Sequence, residues 1–581
     1  MKTLMTAAAM ATAMAGCATI GSSSNALTGA MSNLQPIVTE HRNGDDLMTA
    51  GLDAAALRNP VGPAFANPQA PTVAELRRRS IWSSWRGIYN VAPGGGLEQS
   101  LAGGAIPGRE YMAMARIPGA KTTHRVVTQV PDNFKAADRC LLVAPSSGSR
   151  GVYGAISVAA PWGLPRGCAI AYTDKGTGSD YFDIETGMGA NQQGIMTTGD
   201  ARVFVPQVSA NAKSHEIAYK HAHSQDNPEA DWGRHVVQAA QFGLDSLSKA
   251  FPEQAPFNWD NTRVIAVGIS NGGGAVLRAA EEQGAKFSAI VAGEPQIFVE
   301  GHGGVPLYDY SVEAATLMAC AQLALPESML PQPPVLAQAK PLMGMWCQRL
   351  KMANVLTGAD VTAMSQEALN KMKARGWSEG ALAAGFASTG FDLWRSILAG
   401  YVSAYARTPV GANPCGFYYT ADDAQKKSRA ATATEKAMWW SDASGIPTGA
   451  GVNLHHDNPD IYAQIQCLAE KRNDPTVAAS ILATRSAAPA NRNLPVFVVH
   501  GKSDGLVPIQ YTSIPYVAMT RASGHQRIAF WQIDNAQHFD AFLAFPGYGD
   551  KFVPLLPHVY GALDAAWNTV VNGAPMPADR N

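Results

Sequence analysis

The chain has 581 residues, of which 46% are hydrophobic and 16% are charged, and its formal net charge is -1 at pH 7. That length is enough for an elaborated domain or for a core that carries a large insertion. A nearly balanced charge provides no basic field for a polyanion, so the composition argues against nucleic acid as a partner. The cysteines and histidines lack the spacing of a zinc site, and no metal site is predicted.

The first residues have the pattern of an export signal. An apolar stretch over 4–14 follows a positive residue, and Met14-Ala15-Gly16-Cys17 resembles the lipobox of bacterial lipoproteins. We therefore expect a signal peptide over 1–16 and a lipid anchor on Cys17, with ordinary signal-peptide cleavage as the alternative. Residues 17–80 are expected to form a tether and an N-terminal extension. This predicts an extracytoplasmic protein, held at a membrane or released to the extracellular space.

Six further cysteines follow Cys17 in the chain. An even number of cysteines in an exported protein predicts up to three disulfides. The sequence leaves the pairing open, and the pair Cys320 and Cys347 is only the shortest-range guess among Cys140, Cys168, Cys320, Cys347, Cys415 and Cys467.

Short apolar runs alternate with longer helical patterns from about Thr123 onwards. This order predicts an α/β fold with a mostly parallel sheet that is covered by helices. A helix is predicted to begin at Asn227, as its N-cap, and to run to Phe251. Ligands bind at the carboxyl ends of strands in such sheets, so the turns there are the places to seek chemistry. The predicted strands cover 140–144, 168–172, 264–267, 288–292, 496–499 and 527–533.

A long segment of different character interrupts this pattern. Helices are predicted over 362–375, ended by Gly376, and from Ser378 towards Tyr405. The methionines and tryptophans of the segment either fill its own core or line an adaptable apolar pocket over the active site. The predicted division is a first core segment over 81–300, a mainly helical lid over 301–485 and a second core segment over 486–581.

One turn carries the strongest chemical signal. Gly268-Ile269-Ser270-Asn271-Gly272 matches the GxSxG pattern of a nucleophile elbow, and it lies between a predicted strand and a predicted helix. The glycines are needed because a Cβ two residues from the nucleophile would collide with the crossing strand and helix. We interpret Ser270 as a nucleophile, against the alternative of a structural glycine-rich turn, and the fold as an α/β-hydrolase.

A nucleophilic serine needs a base and an acid that orients it, and in this fold the acid follows the serine in the chain and the histidine base follows the acid. Asp504 follows the predicted strand 496–499 and is the expected acid, although a turn-forming aspartate is the alternative. His538 follows the last predicted strand and is the expected base. Asp534 and Asp540 are weaker candidates for the acid. His500 is expected to be a structural histidine, and His525 and His558 are expected to lie on the surface.

An oxyanion needs two N-H donors. One is expected from the backbone of Asn271, and the other from Ser147 or Gly148 after the strand 140–144, with the loop 173–178 as a competitor. His221 and His223 are candidates for contacts with polar groups of the substrate, or else belong to a polar loop that caps a helix.

Two segments carry a resemblance to a known family. Residues 268–279 around Ser270, and the run 220–233 with the sequence KHAHSQDNPEADWG, resemble the D-3-hydroxybutyrate oligomer hydrolases. The resemblance extends over most of the chain beyond the signal and implies cleavage of 3-hydroxybutyrate dimers and short oligomers, the degradation products of polyhydroxybutyrate. It assigns the nucleophile to Ser270, whereas Asp504 and His538 rest on the positions of the predicted strands.

The implied reaction is ester hydrolysis through an acyl-enzyme, and it requires no cofactor. The partners expected are a small ester substrate and a membrane, if Cys17 is lipidated. Two alternatives remain. One is another lidded esterase of the feruloyl or tannase type, whose aromatic substrates require a flat aromatic slot. The other is a non-catalytic lipoprotein that uses the fold for binding.

Overall fold

The computed structural model describes residues 36–331, 335–442 and 451–581. Its centre is a sheet of nine strands. In chain order these are β1 (Ile37–His41), β2 (Gly108–Ala115), β3 (His124–Pro131), β4 (Cys140–Pro145), β5 (Ala169–Thr173), β6 (Arg263–Ile269), β7 (Ala289–Gly293), β8 (Val496–Gly501) and β9 (Ile528–Ile533). Across the sheet their order is β1-β2-β3-β5-β4-β6-β7-β8-β9.

The sheet is antiparallel at one edge and parallel over the rest. β1, β2, β3 and β5 pair antiparallel in succession. From β5 through β4, β6, β7 and β8 to β9 every pairing is parallel. The chain thus has the predicted mostly parallel sheet of an α/β-hydrolase, with the carboxyl ends of six strands at one edge.

Helices cover both faces of this sheet. In β6, Ile265 and Val267 belong to one apolar cluster, whereas Val264 and Ala266 belong to another on the opposite face. Burial on both faces explains why these strands are continuous apolar runs in the sequence. The first face packs against helices Val73–Ile88, Ile156–Gly163 and Leu556–Val571, and the second against Trp232–Ala250, Asn271–Ala279 and Ser513–Ala522.

The N-terminal extension is part of the core. β1 pairs along the whole of its length with β2 at the sheet edge. Helix Val73–Ile88 begins with a capping box formed by Thr72 and Glu75. It is fixed by Arg77, which donates to the buried Glu110 of β2 over 2.8 and 2.9 Å. The folded core therefore includes part of the expected N-terminal extension, while the expected tether lies outside the described residues.

The lid lies between β7 and β8 and is mainly helical, with its own apolar cluster. Its helices are Leu307–Gln322, Val335–Met352, Val361–Arg375, Glu379–Ala384, Phe386–Gly390, Leu393–Ala406, Ala433–Met438, Ile461–Glu470 and Pro475–Ala483. It also contains a small antiparallel sheet that the sequence did not predict, made of Phe417–Asp422, Ser428–Arg429 and Asn453–His456. A second such sheet lies between β5 and β6, made of Tyr181–Asp183, Met188–Ala190, Met196–Thr197 and Ile217–Tyr219.

Two predicted helices differ from the observed ones. The helix expected to begin at Asn227 begins at Trp232, because the Asn227 side chain donates to the Ser480 carbonyl at 2.9 Å instead of capping. The long helix expected from Ser378 is divided into three, and Asp392 has a φ of 54° before the last of them. That left-handed conformation ends helical propagation.

All six described cysteines are paired. The disulfides join Cys140 to Cys168, Cys320 to Cys347 and Cys415 to Cys467. The first ties β4 to the start of β5, and the other two lie in the lid.

The expected signal peptide and Cys17 lie outside the described residues, so export and lipidation stay predictions. Within 36–331, 335–442 and 451–581, no helix is both long and apolar enough to cross a bilayer.

Candidate active site

Ser270 lies in a strained turn between β6 and helix Asn271–Ala279. Its backbone has φ 56° and ψ -126°, a conformation that residues with a Cβ rarely adopt. The turn is fixed on both sides, because the Ser270 N-H donates to the Gly293 carbonyl and the Ser270 carbonyl accepts from Gln296. A Cβ on Gly268 would lie 2.3 Å from the Gly272 carbonyl oxygen, and one on Gly272 would lie 2.5 Å from that of Pro145. Only glycine fits these two positions.

The structure brings Ser270, His538 and Asp504 into one hydrogen-bonded row. His538 Nε2 lies 2.9 Å from Ser270 Oγ, and His538 Nδ1 lies 2.8 Å from Asp504 Oδ2. All three side chains are buried. Each follows a different parallel strand (β6, β8 or β9), so the common edge of the sheet explains how residues far apart in sequence meet.

Asp504 is held as an ionised acceptor. Its Oδ1 accepts from the N-H groups of Leu506 and Val507 at 2.9 and 2.7 Å. Burial alone would raise the pKa of this carboxyl, but the charge of His538 and hydrogen bonds from His500 and His538 lower it below the model-peptide value of 3.8. An ionised Asp504 can hold His538 with Nε2 facing Ser270, as a serine hydrolase requires.

The weaker candidates do not bond Ser270 or His538, although Asp540 lines the smaller cavity at Ser270. Asp534 is exposed and pairs with Lys502, while Asp540 accepts from the N-H groups of Leu555 and Leu556. His500 is buried and contacts Ser513 Oγ and the Val507 carbonyl, as expected of a structural histidine. His525 is fully buried rather than on the surface, because it packs beneath the turn into β9, and His558 is half-buried.

The sequence reasoning missed Glu294, a second carboxyl beside the base. Glu294 directly follows β7, has a φ of 36° and is buried, with Oε2 lying 3.8 Å from His538 Nδ1. Burial, together with the charges of Asp504 and Asp540, raises its pKa well above the usual value. Its position at the carboxyl end of a predicted strand was the available signal.

Glu294, Asp504 and His538 each offer a ligand atom, and these atoms lie within 4.8 Å of one another. In this arrangement His538 Nδ1 already bonds Asp504, and a metal there would compete with the contact that orients the base. The group is therefore described better as a hydrogen-bonded acid and base than as a metal centre.

Two adjoining cavities open onto Ser270. The smaller contains His538 and Glu294, and the larger extends under the lid; Ser147 lines both. Besides Ser270, the larger cavity is lined by Ser147, Gly148, Arg150, Asn271, Gln296, Leu307, Leu393, Ile397, Tyr401, Leu506, Val507 and Phe539. Its wall from the lid is mainly aliphatic, whereas Met318, Met343, Met364, Met372 and Trp394 are buried in the lid's own cluster.

The predicted oxyanion donors face this cavity. Asn271 is the first residue of its helix, where backbone N-H groups lack intrahelical partners. Gly148 has a φ of 53°, and its carbonyl accepts from Lys175 Nζ at 2.6 Å. The competing loop 173–178 thus supports the loop of Ser147 and Gly148 from behind and does not line either cavity.

His221 and His223 bond neighbouring segments of the chain. His221 bridges Ser149 Oγ at 2.6 Å and Glu229 Oε1 at 2.7 Å, so it holds the same loop from the far side. His223 lies against Asn413 and Tyr219. Both are buried, and neither lines a cavity at Ser270. These contacts give no support to the hypothesis that the two histidines contact the substrate.

Comparison with known proteins agrees with this geometry. The sequence matches the model of the 3HB-oligomer hydrolase family over residues 10–580. It is 34% identical to the D-(-)-3-hydroxybutyrate oligomer hydrolase of Paraburkholderia xenovorans, over 92% of this chain and 84% of the relative. It is 33% identical to that of Burkholderia pseudomallei, over 95% of this chain and 88% of the relative.

Among solved structures, feruloyl esterase B from Aspergillus oryzae is similar, with 12% identity, a TM-score of 0.38 and coverage of 81% of this chain and 82% of the other. The sequence matches span nearly the whole chain, including Ser270, Asp504 and His538. The chain therefore belongs to the 3HB-oligomer hydrolase family.

Proposed function

We propose that this protein is a serine esterase that cleaves dimers and short oligomers of 3-hydroxybutyrate to the monomer through an acyl-enzyme. The mechanism rests on the hydrogen bonds that link Ser270, His538 and Asp504 beside a cavity under the lid. Membership of the 3HB-oligomer hydrolase family supports the substrate.

The chemistry follows from the positions of these atoms. His538 Nε2 takes the proton of Ser270 Oγ as the oxygen attacks the ester carbonyl carbon. The charge that develops on the carbonyl oxygen is stabilised by N-H donors from Asn271 and from the Ser147–Gly148 turn. His538 then gives the proton to the leaving alcohol, and a water molecule, deprotonated in the same way, hydrolyses the acyl-enzyme.

The shape and chemistry of the larger cavity support a short aliphatic ester. Leu307, Leu393 and Ile397 form the wall of this cavity on the side of the lid. Methyl groups along a hydroxybutyrate chain suit such a wall, whereas a flat aromatic acyl group would require aromatic side chains on both of its faces. Aliphatic residues outnumber the two aromatic ones, Tyr401 and Phe539, in this lining, which favours an aliphatic ester over the feruloyl or tannase alternative.

The experiment is the release of 3-hydroxybutyrate from its linear dimer and trimer by the purified protein. Para-nitrophenyl butyrate and methyl ferulate would be run in parallel as simple and aromatic esters. We expect turnover of the dimer, trimer and butyrate ester, and a kcat/KM for methyl ferulate at least about 100-fold lower. Cleavage of the butyrate ester without cleavage of the dimer would contradict the proposed substrate, and a preference for methyl ferulate would favour the aromatic alternative.

A further inference from the structure

Arg150 is the one charged residue among those that line the larger cavity beside Ser270. Arg150 lies in the turn after β4, two residues beyond Gly148, among aliphatic residues that come mainly from the lid. The proposed reaction of Ser270 and His538 gives the Arg150 guanidinium no role. A positively charged residue at the wall of the substrate cavity favours a substrate with a negatively charged group.

Arg150 is buried without an acidic partner. Its exposed fraction is 9%, and its Nη2 donates to the backbone carbonyl of Gly87 at 3.1 Å. No carboxylate of the described chain lies within ion-pair distance of it, and every aspartate and glutamate of the sequence is a described residue. Burial lowers the pKa of Arg150 to about 10, which leaves the guanidinium charged at neutral pH.

The protein makes specific room for this side chain. A Cβ on Gly87 would lie 2.1 Å from Arg150 Nη1. Glycine at that position therefore leaves space for the guanidinium against helix Val73–Ile88. An unpaired buried charge is costly unless a partner compensates it. A buried guanidinium without an acidic partner, at the wall of a substrate cavity, is suited to bind an anionic group of the substrate.

We propose that Arg150 binds the terminal carboxylate of the hydroxybutyrate chain. This inference rests on the proposed function, because linear 3-hydroxybutyrate oligomers carry one carboxylate, at the end of the chain. In the dimer that carboxylate belongs to the alcohol that leaves when the ester is cleaved. The side of the cavity with Arg150 is therefore the leaving-group side, and the enzyme removes one monomer at a time from the carboxyl end.

The test compares the linear dimer with the same dimer whose terminal carboxylate is a primary amide. The amide keeps the shape of the acid and the scissile ester but removes the charge. Charge-assisted hydrogen bonds of this kind predict that the wild-type protein prefers the acid by about 10- to 100-fold in kcat/KM. In Arg150→Gln the acid-to-amide ratio should fall to about one.

Arg86→Gln is the matched control. Arg86 precedes Gly87 on the same helix and bonds the backbone carbonyls of Leu57 and Arg58, but it does not line the cavity. It should keep the wild-type ratio. A trimer labelled on its hydroxyl-terminal unit should release unlabelled monomer first.

Equal turnover of acid and amide by the wild-type protein would overturn the proposal, even if Arg150→Gln failed to fold. An unchanged acid-to-amide ratio in a folded Arg150→Gln protein would also overturn it, because Arg150 would then serve only the loop. Failure of the proposed function is distinguishable: the dimer and its amide would both remain uncleaved while para-nitrophenyl butyrate is hydrolysed, and this inference would fall with it.

Discussion

Replacing Ser270 with alanine should lower kcat for the hydroxybutyrate dimer and for para-nitrophenyl butyrate by a factor on the order of 10⁶. The hydroxyl is the atom that His538 Nε2 contacts at 2.9 Å, so its removal takes away the proposed nucleophile. Initial rates at saturating substrate, with the thermal unfolding midpoint measured on the same samples, would separate lost chemistry from lost fold.

Two variants serve as controls for this result. Ser157→Ala removes another buried hydroxyl, on helix Ile156–Gly163 and outside both cavities, and should keep its activity. Ser270→Gly should be as inactive as Ser270→Ala but no less stable, because glycine adopts a φ of 56° without the strain of about 1–3 kcal/mol that a Cβ imposes. Activity of Ser270→Ala within tenfold of wild type would rule out this serine as the nucleophile.

The second large effect is expected for Asp504→Asn, which should lower kcat by about 10⁴-fold. Asparagine keeps the shape of the carboxyl, but its amide can donate to His538 Nδ1. That bond would stabilise the tautomer with the proton on Nε2, which cannot take a proton from Ser270. Rates measured across pH, at substrate concentrations above and below KM, would show the loss in kcat.

The matched control for Asp504→Asn is Glu294→Gln. Glu294 lies farther from His538, at 3.8 Å, and its raised pKa favours the neutral form that glutamine imitates. We expect Glu294→Gln to lower kcat by less than about tenfold. If it were as damaging as Asp504→Asn, Glu294 and not Asp504 would be the acid that orients the base.

Asp504 also makes the fold sensitive to acid. Its pKa in the folded protein lies below the unfolded value of 3.8, so its charge stabilises the fold above about pH 4. That stabilisation is lost as the pH falls through the folded pKa.

The three candidate catalytic residues could be proposed from the sequence because each follows a recognisable strand. Ser270 has the glycine spacing of an elbow, and Asp504 and His538 follow apolar runs that are buried on both faces in the structure. The three residues lie together because the parallel strands that precede them end at the same edge of the sheet. The family resemblance then added the substrate, which no spacing of residues specifies.

The features that the sequence did not predict depend on contacts between distant segments. β1 is a short edge strand whose partner, β2, begins far along the chain, and its pattern is partly polar. The partners of His221, Ser149 and Glu229, could not be predicted because Ser149 meets it only when the loop after β4 folds against it. Arg150 was overlooked because an arginine in a polar turn gives no sign that it is buried and unpaired.

The most direct test of the central claim is the mass of the covalent intermediate. The protein would be mixed with para-nitrophenyl butyrate, quenched in acid within the first turnovers, digested and sequenced by mass spectrometry. We expect a butyryl group on the peptide that contains Ser270, more of it in Asp504→Asn if deacylation slows, and none in Ser270→Ala. A butyryl group on another residue, or full turnover in Ser270→Ala without any adduct, would contradict the assignment of Ser270 as the nucleophile.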